Sequence, residues 1–117
     1  MEQRLGSVRI SPQVLATLAR LTVLGIPGVV RMHTDMSGGV DRFIRGKGVD
    51  DGVRIQVDDG AVSVDLYIVA ERGASLYDLG RTIQANVSRA IKDMVGMPVL
   101  DVNVHVEDVG VANSEAS

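Results

Sequence analysis

The sequence predicts an α+β domain built as a two-layer sandwich, a mixed sheet of three or four strands carrying two helices on one face. Three observations predict it. From Val53 to Val69 two alternating runs flank Asp59-Gly60, a dipeptide that strongly marks a two-residue hairpin loop. From Ser75 to about Val95 a single apolar stripe recurs at spacings of three and four, the period of an amphipathic helix. Val99 to Val106 then alternates again, so strand, helix and strand succeed one another from residue 61 to 106. A right-handed crossover makes that last strand parallel to 61–69.

At 117 residues the length prior gives one domain, which buries roughly two-thirds of its unfolded surface. We place it at residues 1–109, with 110–117 reading as a disordered tail. Apolar residues make up 45% of the chain, enough to build a core and to argue against intrinsic disorder. The absence of cysteine excludes disulfides, thiolate metal sites and a cysteine nucleophile, and fits a reducing compartment. The start, MEQRLGSVRI, has no apolar signal core, and no run reaches the roughly 20 residues of a membrane span. A soluble, cytoplasmic protein is expected. The net charge of −3 and pI near 5.2, with Phe43, Tyr67 and Tyr77 as the aromatic residues, argue against a base-stacking nucleic-acid surface.

In chain order, a polar arm precedes a brief strand, Ser7 to Ile10. Ser11-Pro12 has the form of a helix start, since serine accepts a hydrogen bond as N-cap and proline at the first position sacrifices none. The helix runs from Pro12 to Leu24. Val14, Leu15, Leu18, Leu21, Val23 and Leu24, with Ala16 and Ala19, cover more than one stripe, so the helix is either buried on two sides or carries a self-association surface. Leu21 and Leu24 are the residues assigned to the second role. Gly25-Ile26-Pro27-Gly28 stops the helix, and Val29 to Thr34 reads as a strand. The same four residues match the GxxG pattern of KH-type nucleic-acid loops, although helix-exit chemistry explains them equally in an acidic chain.

Residues 35–52, DMSGGVDRFIRGKGVDDG, change character, with five glycines and three basic residues. An irregular connection is expected, with one helical turn over Asp41 to Arg45. Gly46-Lys47-Gly48 lacks the glycine spacing and the Ser/Thr of a phosphate-binding loop. The segment is a solvated loop, a docking patch for an acidic partner through Arg42, Phe43, Arg45 and Lys47, or a small-anion site. In the hairpin, a two-residue loop pairs Val57 with Val62, Ile55 with Val64 and Val53 with Leu66 on one face, and Gln56 with Ser63 and Arg54 with Asp65 on the other. In the long helix, Ser75 and Asp78 resemble a capping box. Leu76, Leu79, Ile83, Val87, Ala90, Ile91 and Met94 form the buried stripe, and Gly96 and Pro98 end the helix. Leu100, Val102, Val104 and Val106 alternate with Asp101, Asn103, His105 and Glu107 in the final strand.

The chemistry is sparse. His33 and His105 are the imidazoles, and His105 with Glu107 and Asp101 is the best metal-like grouping, one that a solvated strand face produces by default. No serine lies in a G-x-S-x-G elbow, and Asp50-Asp51 and Asp58-Asp59 are explained as turn residues. No catalytic, cofactor-binding or metal residue is assigned.

Four stretches coincide in order and spacing: Gly6-Ser7-Val8-Arg9-Ile10-Ser11 before the first helix, Ile26-Pro27-Gly28-Val29 after it, Gly52-Val53 opening the hairpin, and VLDVNVHV at Val99 to Val106. With Ile83-Gln84-Ala85-Asn86-Val87 in the long helix, the chain resembles the alkaline shock protein family, the Gls-type envelope stress response proteins of Gram-positive bacteria, over residues 5 to 109. The resemblance implies a non-enzymatic cytoplasmic protein that self-assembles into homo-oligomers and sits peripherally at the membrane through an integral-membrane partner. It also implies an alternative, since some relatives are linked to control of acetyl-CoA carboxylase. No cofactor and no small-molecule substrate are expected.

Overall fold

The structure, a computed structural model, describes residues 4–34 and 47–111. Two helices and five strands follow in the order α1 (Pro12–Leu24), β1 (Val29–Met32), β2 (Lys47–Asp50), β3 (Val53–Asp58), β4 (Ala61–Glu71), α2 (Leu76–Val95) and β5 (Val99–Gly110). This is an α+β fold. The sheet is mixed, because β4 pairs antiparallel with β1 and β3 but parallel with β5.

β4 is the strand to which the others are fitted. One of its edges takes β5 along nearly the whole length, from Val62 opposite Val99 to Glu71 opposite Gly110. The other edge is shared end to end: β3 covers Ala61 to Leu66 and β1 covers Ile68 to Ala70. Tyr67 falls between them, and its backbone is still satisfied. Its N–H donates to the Gly52 carbonyl and its own carbonyl accepts from the His33 N–H, both at 2.8 Å. Burying a strand on both edges requires this complete pairing, because each unmet backbone group costs about 1–3 kcal/mol.

The hairpin register is the expected one at every position from Val53↔Leu66 to Asp58↔Ala61. Asp59 at φ 55° and Gly60 at φ 79° take the left-handed conformations that a two-residue loop demands. Serine caps α1 as expected, the Gln13 N–H donating to Ser11 Oγ at 3.0 Å, a contact worth about 1 kcal/mol. At α2 the capping box forms differently. Ser75 Oγ donates to the Asp78 carboxylate at 3.0 Å and makes no bond to the helix backbone. Gly96 ends α2 in the left-handed conformation, φ 79°.

Several expectations are corrected. Ser7 to Ile10 forms no strand; the segment is exposed and pairs with no strand among the described residues. Lys47–Asp50 is a strand and not part of an irregular connection, and the sheet has five strands in place of the three or four expected. It forms because the Asp51-Gly52 turn folds it back on β3, Asp50 opposite Val53 and Lys47 opposite Gln56. The helical turn expected over Asp41 to Arg45 lies outside the described residues. β5 continues through Gly110, whose carbonyl accepts from the Arg72 N–H at 2.7 Å. Leu100 leaves the alternation and is 64% exposed because it falls at a register shift against β4.

One apolar cluster joins both helices to alternate residues of the sheet. α1 contributes Leu15, Ala16, Ala19 and Val23, and α2 contributes Leu79, Ile83, Val87 and Ile91. Facing them are Val53 and Ile55, then Val62, Val64, Leu66 and Ile68, with Val102 from β5. The α2 stripe is buried only over its middle: Leu76 and Met94, expected in the core, are 42% and 71% exposed. A 20-residue helix is about 30 Å long, and its ends overrun the apolar face beneath it.

Candidate interaction surface

α1 is buried along one side only. Leu15, Ala16, Ala19 and Val23 have no exposed surface, whereas Val14 is 53%, Leu21 57% and Leu24 41% exposed. Val14, Leu18 and Leu21, spaced by four and three residues, make a second apolar stripe in which Val14 and Leu21 are exposed while Leu18 is partly buried and packs against the core. The same face is extended by neighbours from either side. Ile10 before the helix, and Met94 and Val95 at the end of α2, join this stripe around an open groove of about 620 Å³ whose wall is overwhelmingly apolar. Isolated exposed leucines are ordinary; a contiguous apolar patch assembled from three chain segments marks an interaction site.

Of the residues singled out from the sequence, Leu21 and Leu24 therefore stand on the exposed side of α1. Arg42, Phe43 and Arg45 lie outside the described residues. Lys47 opens β2. Sequence reasoning missed Val14, Ile10 and Met94 as members of the α1 surface. Val14 and Leu21, seven apart, carried the signal; Met94 could not be recognised because it also fits the period of the α2 stripe.

The opposite face of the sheet is polar. Arg54 and Asp65 are cross-strand partners, and Tyr67 lies beside His105 in the β4–β5 pair. The two rings stack with centroids 4.4 Å apart and 9° between planes. The Arg54 guanidinium stands 5.7 Å from the Tyr67 centroid, and His105 Nε2 lies 3.3 Å from Asp65 Oδ1. These contacts tie β3, β4 and β5 together on their wet side through ring stacking, a cation–π contact and the His105–Asp65 hydrogen bond. His105 is thus engaged with Asp65 and Tyr67, and no three His, Cys, Asp or Glu side chains among the described residues converge as a metal site. Gly25 to Gly28, the GxxG match, joins helix to strand. Gly28 sits at φ 104° where an added Cβ would come within 3.2 Å of Leu79, so close packing gives the glycine a structural reason.

The family model for the alkaline shock protein 23 family, described as having a cell envelope-related function, matches residues 1–111. The chain belongs to that family. Curated relatives of this alkaline shock family member include the uncharacterized protein Spy1535 of Streptococcus pyogenes serotype M6, 31% identical over 107 residues, covering 90% of this chain and 80% of the relative. The uncharacterized protein YqhY of Bacillus subtilis is 27% identical over 109 residues, covering 90% and 78%. A second streptococcal protein, Spy1614, also uncharacterized, is 29% identical over 108 residues, covering 91% and 89%. No solved structure gives a significant match.

Proposed function

We propose that this family member is a non-enzymatic adaptor of the cell envelope, which self-associates and docks to a protein partner at the membrane. The observation that carries the reading is the exposed stripe of α1, with Leu21 lining the groove that Met94 and Val95 complete and Leu24 exposed three residues further on. A patch of this kind is costly to leave in water at roughly 25 cal/mol per Å² and gains that free energy when another chain covers it. The family's cell envelope-related function supports the location. No helix among the described residues is long and apolar enough to cross a membrane, so a partner supplies the attachment in this reading. Arg42, Phe43, Arg45 and Lys47 are the residues offered to that partner, as a basic segment with one aromatic anchor.

Fractionation of host cells tests the proposal. The untagged protein is expected to sediment with membranes and to be released by mild detergent while high salt alone leaves most of it behind. A wholly soluble pool would overturn the envelope reading and favour a role as regulator of a metabolic enzyme such as acetyl-CoA carboxylase.

A further inference from the structure

We infer that the segment Ser7–Ile10 of one copy adds as an edge strand to β5 of a second copy. The inference rests on the self-association read above and adds β5 to the surfaces it uses, with Ile10, which borders the α1 groove, shared between the two. β5 is a twelve-residue strand whose pairing, among the described residues, is with β4 alone. Its outer edge presents a row of backbone donors and acceptors, a template for a further strand unless proline, lysine, a bulge or a covering element blunts it, and between the irregularities at Leu100 and Glu107 the stretch Asp101 to Val106 keeps a regular register. Val99–Gly110 contains neither proline nor lysine. One carbonyl is capped, that of Val102, which accepts from Gln84 Nε2 of α2 at 3.1 Å.

Beyond that cap the edge borders a shallow groove of about 240 Å³ between α2 and β5. Leu76, Tyr77 and Gly80 wall it on one side and Val104 and Val106 on the other. Leu76 and Tyr77 are 42% and 76% exposed there, and a Cβ on Gly80 would meet nothing within 4 Å. The inward side chains of one more strand would fill this space. In strand addition the main chain supplies affinity and such a side groove supplies selectivity.

The segment before α1 has the complementary form. Ser7-Val8-Arg9-Ile10 alternates polar and apolar, Val8 is 90% exposed, and the segment joins no strand among the described residues. Val8 and Ile10 match the Val104 and Val106 side of β5, and Ser7 and Arg9 the polar side of Asn103 and His105. Residues 4–10 carry Arg4 and Arg9 and no acid, while β5 carries Asp101, Glu107 and Asp108 and neither lysine nor arginine, Arg81 of α2 being the basic side chain that lines the groove.

The edge must belong to another copy. Arg9 and Ile10 line one groove with Met94 and Val95 of the last turn of α2, whereas the groove beside β5 is walled by α2 residues from Leu76 to Gln84. At least ten residues of helix, from Gln84 to Met94, separate the two linings, about 15 Å. Ser7 to Ile10 spans no more than about 10 Å, so a chain cannot lay this segment on its own edge.

The test compares the full chain with a version lacking residues 1–9, measuring solution mass by light scattering and amide hydrogen exchange of β5 at equal concentration. Truncation is expected to lower the mass and to speed exchange at the outer-edge amides between Asn103 and Val109 at least tenfold. A full chain of higher mass than a monomer whose mass and β5 exchange survive truncation would overturn the inference and leave self-association standing. Loss of mass with unchanged β5 exchange would also overturn it, since the segment would then act elsewhere. A full chain that is monomeric at about 100 μM, roughly a hundredfold above micromolar binding, would overturn both readings.

Discussion

Gly52→Ala is expected to destabilise the domain by about 3 kcal/mol, as the sum of a left-handed penalty of about 1–2 kcal/mol and an overpacking cost of similar size. Gly52 lies at φ 72°, and an added Cβ would come within 2.7 Å of the Tyr67 carbonyl oxygen, 2.9 Å of the His33 carbonyl oxygen and 2.9 Å of Met32 Cβ. Two of these three neighbours are backbone atoms. Neither can move without disturbing the hydrogen bonds that let β1 and β3 share one edge of β4. Gly60→Ala provides the contrast. Gly60 has a similar φ of 79° but nothing within 4 Å of the added atom, so only the backbone term remains, about 1–2 kcal/mol. Thermal unfolding should show a fall of about 10 °C for Gly52→Ala and clearly less for Gly60→Ala. Equal losses would mean that the turn is not wedged between β1 and β4.

Ile83→Ala should cost about 2–5 kcal/mol through lost burial and the cavity left behind. Ile83 has no exposed surface and sits in the cluster where both helices meet the sheet. Relaxation around it is restricted, because its neighbours on α2, Leu79 and Val87, are anchored in the same core. Urea unfolding is the check, with the midpoint lowered and the slope unchanged, since the same surface is exposed on unfolding. A loss below about 1 kcal/mol would place α2 outside the core and contradict the packing described.

Much of the fold was legible because short-range chemistry dictated it. Asp59-Gly60 fixes a two-residue loop, and the loop fixes every pair up to Val53↔Leu66. Ser11-Pro12 and Gly96 are local signals too, and both ends of α1 fall where the sequence puts them. β2 escaped notice although the same dipeptide announced it. Asp51-Gly52 closes the turn between Asp50 and Val53, but Lys47-Gly48-Val49-Asp50 carries no alternation, and its extended form is imposed by β3. Ser7–Ile10 shows the reverse case: the alternation is present, yet a strand exists only where something pairs with it. The α1 surface was half legible. Apolar residues on both sides of a helix say that two faces are apolar; whether the second is covered depends on segments 70 residues away in sequence, such as Met94, and that is a tertiary fact. The docking residues Arg42, Phe43 and Arg45 rest on charge and composition alone.

The central claim is that the outer stripe of α1 is a contact surface, and solution mass by light scattering tests it most directly. The native chain and Leu21→Glu with Leu24→Glu should be measured side by side over a hundredfold range of concentration. Both side chains are substantially exposed, 57% and 41%, so the double variant should lose no more than about 1 kcal/mol, two surface substitutions of about 0.5 kcal/mol each. The account predicts a native mass above the 12.4 kDa of one chain that rises with concentration, and a lower mass for the variant at nearly unchanged melting temperature. Equal masses for the two proteins would contradict it.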